Sequence, residues 1–254
     1  MNLLNVRFTE RSTKNERDFL LKAVAEDPNS AEAWGRLAGI LASDYLNCWN
    51  GSGEPELGQA KDALQKALAL ESDNPMALHA KGLILRAQDD HAGSRDAFRA
   101  VRIADPSIHC ASAQEAAQEI NLGNWNDDVR ALLQHPIDHG QKDPSFGVFH
   151  SIFARGYFFD GKYSDAIPHL ETSVKERPHL WYNRLYLVAA YQIMKNTTER
   201  DKALDDFRNE FPTFQLRDIE ENEKRSPSPS SFVKNGRDVF HKYVTDAWNE
   251  HPPK

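Results

Sequence analysis

The sequence predicts an all-α chain in which antiparallel helix pairs stack one on the next and a further helix closes the C-terminal end. Three observations predict it. Apolar residues recur at helical spacing along most of the 254 residues. One order of side-chain sizes, large then small then large, returns again and again along the chain. A proline follows most of these returns, where a second helix should stop.

The clearest copy is unit 145–178, in which His150, Phe153, Ala154 and Tyr157 belong to a first helix, Ala166 and Leu170 to a second, and Pro178 ends it. Unit 29–72 repeats the order with Trp34, Leu37, Ala38 and Leu41, then Ala60, Leu64 and Ala67. Unit 73–106 has Leu78, Gly82 and Leu85, then Ser94, Phe98 and Pro106. A weaker copy, 179–212, runs through Leu187, Val188 and Tyr191 to Leu204, Phe207 and Pro212. Units 73–106, 145–178 and 179–212 each span 34 residues. Unit 107–144 is the most degenerate, with Ser112 in the aromatic place and "HPIDHGQ" stretching its end, and it reads as a looser joint. Residues 1–28 supply a half unit: Leu20, Ala23 and Pro28 have second-helix spacing, and only "MNLLNVRF" remains for a first helix. That start is either a natural cap or the continuation of a longer chain.

The size pattern has a packing reason. A helix pair cannot bury its apolar stripes alone, so pairs lean on neighbours, and the closest crossings admit only small side chains. Ala38, Gly82, Ala154, Ala60, Ser94 and Ala166 are assigned to such crossings. Leu64, Phe98 and Leu170 fill the space beside them, each contributing about 1.5–3 kcal/mol if fully buried.

These residues and this period resemble the tetratricopeptide repeat over roughly residues 29–212. The resemblance implies a right-handed superhelical solenoid whose first helices line a concave, partner-binding wall. The phrases "EAWGRLAGILASDYLNCWN", "GKYSDAIPHLETSV" and "FVKNGRDVFHKYV" further resemble the repeat region C-terminal to the catalytic domain in some bacterial class III nucleotide cyclases. That likeness implies a regulatory or partner-binding segment; no part of the chain resembles the cyclase domain itself.

Local features refine the elements. With Ser164 as N-cap, Pro168 would be the fourth helical residue and cost little. Gly161 takes the helix-terminal place that favours positive φ. The stretch "ASDYLNCWNGSGEPELGQ" lengthens the first helix of unit 29–72 and adds a glycine-rich loop. Beyond Pro212, residues 213–254 read as a short acidic helix with "DIEENE" as a solvated face, a linker at "RSPSPSS", and a capping helix. The apolar stripe of that last helix is Phe232, Val233, Val239, Phe240, Tyr243, Val244, Ala247 and Trp248.

Composition narrows the function classes. A 40% hydrophobic and 27% charged make-up is that of a globular chain. The net charge of -7 argues against nucleic acid or an anionic membrane as main partner. "MNLLNVRFTERS" lacks the long apolar core of a secretory signal, so a cytoplasmic location is expected. Cys48 and Cys110 form no CxxC and are expected as free thiols.

Sites for chemistry are sparse. "GSGEPELG" lacks the Gly-Lys-Ser/Thr of a phosphate loop, so no cofactor is expected. His135 and His139 have Pro136 between them, which argues against a metal-binding helix face, even with His109 and Cys110 in the same unit; no metal is expected. Asn50-Gly51-Ser52 and Asn196-Thr197-Thr198 match a glycosylation sequon that is irrelevant in a cytoplasm.

The inner face of the first helices is therefore the expected site. Helical spacing assigns His79, Leu83 and Arg86 to it in one unit, Ser151, Arg155, Phe158 and Phe159 in another, and Tyr182, Leu185, Ala189 and Gln192 in the last. An apolar wall with two arginines suits an extended or helical peptide that carries acidic residues. The asparagine-containing carboxylate clamp of chaperone-binding relatives is not found in this sequence. The expected function is a non-catalytic scaffold for protein or peptide binding, in bacterial signalling or regulation. The alternative is a hydrolase or transferase built on the same scaffold, and oligomeric state is left open.

Overall fold

Side-chain caps set where several helices begin. Asn74 Oδ1 accepts hydrogen bonds from the amides of Met76 and Ala77, Asp90 from Gly93, Asn126 from Val129, Asn196 from Glu199, and Ser230 Oγ from Val233. Each such cap contributes about 1 kcal/mol to the helix it opens. The computed structural model describes residues 10–47, 53–224 and 230–252, and all regular structure among them is helical. The helices are α1 (Glu10–Glu26), α2 (Ala31–Asn47), α3 (Glu54–Leu70), α4 (Pro75–Ala87), α5 (His91–Ala104), α6 (His109–Asn121) and α7 (Asp127–His139). They continue with α8 (Phe146–Phe159), α9 (Tyr163–Glu176), α10 (Trp181–Ile193), α11 (Thr197–Glu210), α12 (Arg217–Glu223) and α13 (Ser231–Glu250).

Prolines set where the second helices end. Helices α1, α5, α9 and α11 stop just before Pro28, Pro106, Pro178 and Pro212. Helix α7 instead stops at Gly140, ahead of Pro144. The chain divides into two compact units, Met1–Gln118 and Glu119–Lys254, with the boundary inside α6.

In the first unit α2 is central, packed against α1, α3 and α4. Its core includes Leu20, Leu37, Leu41, Leu57, Ile84 and Phe98. Two glycines decide how close its helices come. A Cβ on Gly35 would lie 2.7 Å from the backbone nitrogen of Ala77, so α2 meets α4 backbone to backbone. A Cβ on Gly82 would lie 2.7–2.9 Å from three atoms of the Phe98 ring, and Ser94 donates its hydroxyl to the Gly82 carbonyl at 2.7 Å. The longer first helix expected for unit 29–72 is present in α2, with 17 residues against 13 in α4. Cys48 and the sequon at 50–52 lie outside the described residues.

The second unit repeats the scheme with aromatic side chains. Ala154, Ala166, Leu170, Leu185, Phe207 and Phe240 belong to one core. A buried polar relay ties three of its helices together: Ser151 donates to Asn183 Oδ1 at 2.7 Å, Asn183 Nδ2 to Ser173 Oγ at 2.8 Å, and Ser173 to the Gly147 carbonyl at 2.7 Å. Ala38, Ala60, Ser94, Ala154 and Ala166 are all fully buried, as the crossing argument requires, and Gly82 is buried with them.

Two expectations about proline are corrected. Helix α9 begins at Tyr163 behind Lys162, one turn-start earlier than a Ser164 cap, so Pro168 lies inside the helix on its exposed side. Water can serve the carbonyl that Pro168 leaves unbonded, which makes the place tolerable. Pro136 likewise lies inside α7 rather than breaking it, and the His135 and His139 rings stack at 4.5 Å. Gly161 does adopt positive φ, at +74°.

Candidate functional site: the helix face beneath α13

First helices α8 and α10 of the second unit both pack against the C-terminal helix α13. Rather than covering the last pair alone, α13 extends onto α8. Val233, Gly236, Phe240, Val244 and Ala247 are buried, at the helical spacing that places them on one face. Phe240 stacks on Tyr186 of α10 with centroids 4.2 Å apart. Phe232 meets Phe159 of α8 edge to face at 5.9 Å. Gly236 is where the two helices come closest, since a Cβ there would lie 2.1 Å from Phe159 Cδ1.

Polar groups hold α13 at its middle and its end. Glu223 of α12 faces His241 at 2.8 Å and Arg237 at 3.6 Å. The Glu223 hydrogen bond holds the His241 imidazole above its ordinary pKa. At the far end Arg200, buried in α11, donates to Gln192 Oε1 at 2.6 Å and pairs with Asp201 and Glu250. Gln192 Nε2 donates to Glu250 at 3.0 Å. Arg208 places its guanidinium over the Trp248 ring at 4.6 Å and donates to the His251 carbonyl. The Tyr186 hydroxyl is pushed up by burial, with Arg237 and Arg155 opposing that rise.

The expected wall residues divide between the two units. His79 and Arg86 belong to the first. There His79 is half-buried, with its ring edge-on to Phe98 at 5.3 Å and its Nε2 3.7 Å from Cys110 Sγ. Desolvation pushes this imidazole down to about 4. Leu83 is buried.

In the second unit Phe158 is 1% exposed, wedged edge-on between Tyr163 and Tyr186, so it is a core residue and not a wall residue. Leu185 and Ala189 are fully buried, and Ser151 is engaged with Asn183. The correction has one cause. A first helix touches both its own partner and the next first helix, and α13 covers much of what remains. Phe159, Arg155, Tyr182 and Gln192 stay half-buried; of these, Phe159 and Gln192 touch α13 and Tyr182 meets Trp181 edge to face.

Three residues central to this face escaped the sequence reading. Tyr186 gave no signal, being one aromatic among many. Arg200 stands where Ala60, Ser94 and Ala166 stand in other pairs, and a long cation in a small-residue place was a legible departure. Gly236, inside a helix, was the other. The acidic stretch "DIEENE" is also less uniform than expected, since Ile219 is buried and Glu223 serves α13.

A second titratable cluster lies between α8 and α9. His150 and His169 face each other through Nδ1 at 2.9 Å, and His169 stacks on Phe153 at 4.5 Å. Burial lowers both imidazoles, His169 to about 4. Among the described residues, no group of three or more His, Cys, Asp or Glu is placed to hold a metal, and no helix is long and apolar enough to cross a membrane.

Comparison with solved structures places the fold. A tetratricopeptide repeat protein from Parabacteroides merdae ATCC 43184 is similar with a TM-score of 0.51 and 13% identity, covering 93% of each chain. YrrB, a tetratricopeptide repeat protein with an unusual peptide-binding site, is similar with a TM-score of 0.49 and 16% identity, over 80% of this chain and 97% of that one. No protein-family model and no curated protein matches the sequence. The fold is a tetratricopeptide-like stack of helix pairs.

Proposed function

We propose that the chain is a non-catalytic helical-repeat scaffold that binds a protein or peptide partner through the faces of its first helices. One observation carries this reading. A helical segment of the chain itself, α13, is docked on α8 and α10 through aromatic rings and a glycine close approach, and on α11 through the buried Arg200. A face of that composition is suited to a peptide in helical form. Arg86 in the first unit and Arg155 in the second give the preference for acidic residues in a partner, and Tyr182 supplies an aromatic contact in the second. The phrases that resemble cyclase-associated repeats support a regulatory role in a bacterial signalling assembly, located in the cytoplasm.

The test is affinity capture from native lysate with the wild-type chain and an Arg86→Glu, Tyr182→Ala variant, followed by calorimetry on any protein recovered. The variant should lose at least one partner or bind it about ten-fold more weakly, a change of about 1.4 kcal/mol. Equal recovery and equal affinity would remove these faces from the reading. Phe158 is not substituted, because truncating a core phenylalanine would report on folding.

A further inference from the structure

We propose that α13 is a replaceable occupant of the face formed by α8, α10 and Arg200 of α11, and that this face is a docking site for an amphipathic helix of a partner protein with the pattern of α13. The partner would carry a small residue, an aromatic one turn later, aliphatic residues over the next two turns, and a carboxylate at its end. The proposal deepens the scaffold reading and rests on it.

The face specifies that pattern. The Phe159 ring occupies the space where any side chain on Gly236 would stand, so a docking helix needs glycine at that point. Four residues on, Phe240 stacks against Tyr186, and a further turn on Val244 is buried. Ala247 is fully buried, and three residues later Glu250 reaches Arg200 and Gln192. Small residue, ring, aliphatic and anion thus meet separate features of the face in order along one helix.

The occupant is also a separate element. Helix α13 carries its own N-cap at Ser230, and its 20 residues exceed the length at which isolated helices become marginal. Its C-terminal hold is polar and partly open to water: the Glu250 side chain is 55% exposed and that of Asp205 45%. Val233, Phe240, Val244 and Ala247 of α13 are by contrast buried against the face, so the helix's departure leaves Phe159 and Tyr186 facing water. Exchange for another helix is therefore favoured over simple release. A tethered helix also acts at a high effective concentration, so α13 sets a threshold that a partner must exceed.

The test uses the full chain and a fluorescein-labelled synthetic peptide of residues 230–252. Gly236→Leu in the chain drives a side chain into Phe159 and should dislodge α13. Fluorescence anisotropy should then show the variant binding the peptide at least ten-fold more tightly than wild type, and a peptide carrying Gly236→Leu binding neither. Equal binding by both chains, or no binding by a variant with wild-type circular dichroism, overturns the proposal. Should Gly236→Leu unfold the chain, hydrogen exchange on the wild type decides. Amides of α13 should exchange at least ten-fold faster than the buried amides of α10, and equal rates overturn the proposal. A failed lysate capture leaves these readouts untouched, because the probe is the chain's own helix.

Discussion

Gly82 and Gly58 allow the crossing argument to be measured with one substitution made twice. Both are helix-interior glycines, Gly82 in α4 and Gly58 in α3. In each, replacement by alanine gains up to about 1 kcal/mol of helix propensity. The surroundings differ. A Cβ at Gly58 meets nothing within 4 Å, whereas one at Gly82 meets three Phe98 ring atoms at 2.7–2.9 Å. Carbon atoms rest about 3.5–4.0 Å apart, so the Phe98 ring would have to retreat by roughly 1 Å. Phe98 is 0% exposed, so its ring is enclosed by neighbours that would have to move with it. Overpacking of this kind costs about 1–3 kcal/mol. Gly58→Ala should therefore stabilise by about 0.5–1 kcal/mol, and Gly82→Ala should fall below it by about 1–3 kcal/mol once propensity cancels. Urea unfolding followed by circular dichroism gives both values. If the two substitutions shift stability equally, Gly82 is not a close-approach residue and the packing argument fails.

Other outcomes can be checked in the same way. Ser173→Ala removes the acceptor of the buried Asn183 amide and should cost about 1–3 kcal/mol in denaturant unfolding, whereas Asn183→Ala with Ser173→Ala together should cost less than the sum of the two singles. Arg200→Ala should cost about 1–3 kcal/mol and speed hydrogen exchange over the last turn of α13, with little change in α4. Acid should weaken the fold through its buried imidazoles. His79 and His169 are lowered to about 4, so the unfolded chain takes up their protons first as pH drops below about 6.5. Each can remove up to about 1.4 kcal/mol per pH unit across that window, and His169→Phe should flatten its share of the slope in melts between pH 7 and 4. His241 works the other way: its contribution is present below about 6.5 and is lost as pH rises through its raised folded value. A His241→Gln variant should therefore lose most relative to wild type near pH 6 and least near pH 9.

The pair architecture was legible because it rests on size at fixed spacing. Ala60, Ser94 and Ala166 cannot be large where Gly82 and its equivalents leave no room, and that restriction is written in single residues. Helix ends were legible for the same local reason, through Pro106, Pro178 and Pro212. The wall was harder to read. Helical spacing places Phe158 and Leu185 on a first helix, but which side of that helix stays open depends on elements far along the chain. Helix α13 lies beyond the repeats, and nothing local to Phe159 or Gln192 says that it returns to cover them. Pro168 was misjudged because a proline's cost depends on whether water reaches the carbonyl it strands, which is a property of the folded surface.

Arg200 makes the final pair different in kind from those before it. Copying residues 179–212 to lengthen the array would copy this guanidinium too, but one copy of Glu250 could meet only one of them. The other would keep Asp201 and Gln192 but lack the Glu250 that completes its charge network, a cost to each added copy. The pairs that carry Ala60, Ser94 or Ala166 in that place have no such requirement, so growth of this chain by duplication is easier through them than through its last pair.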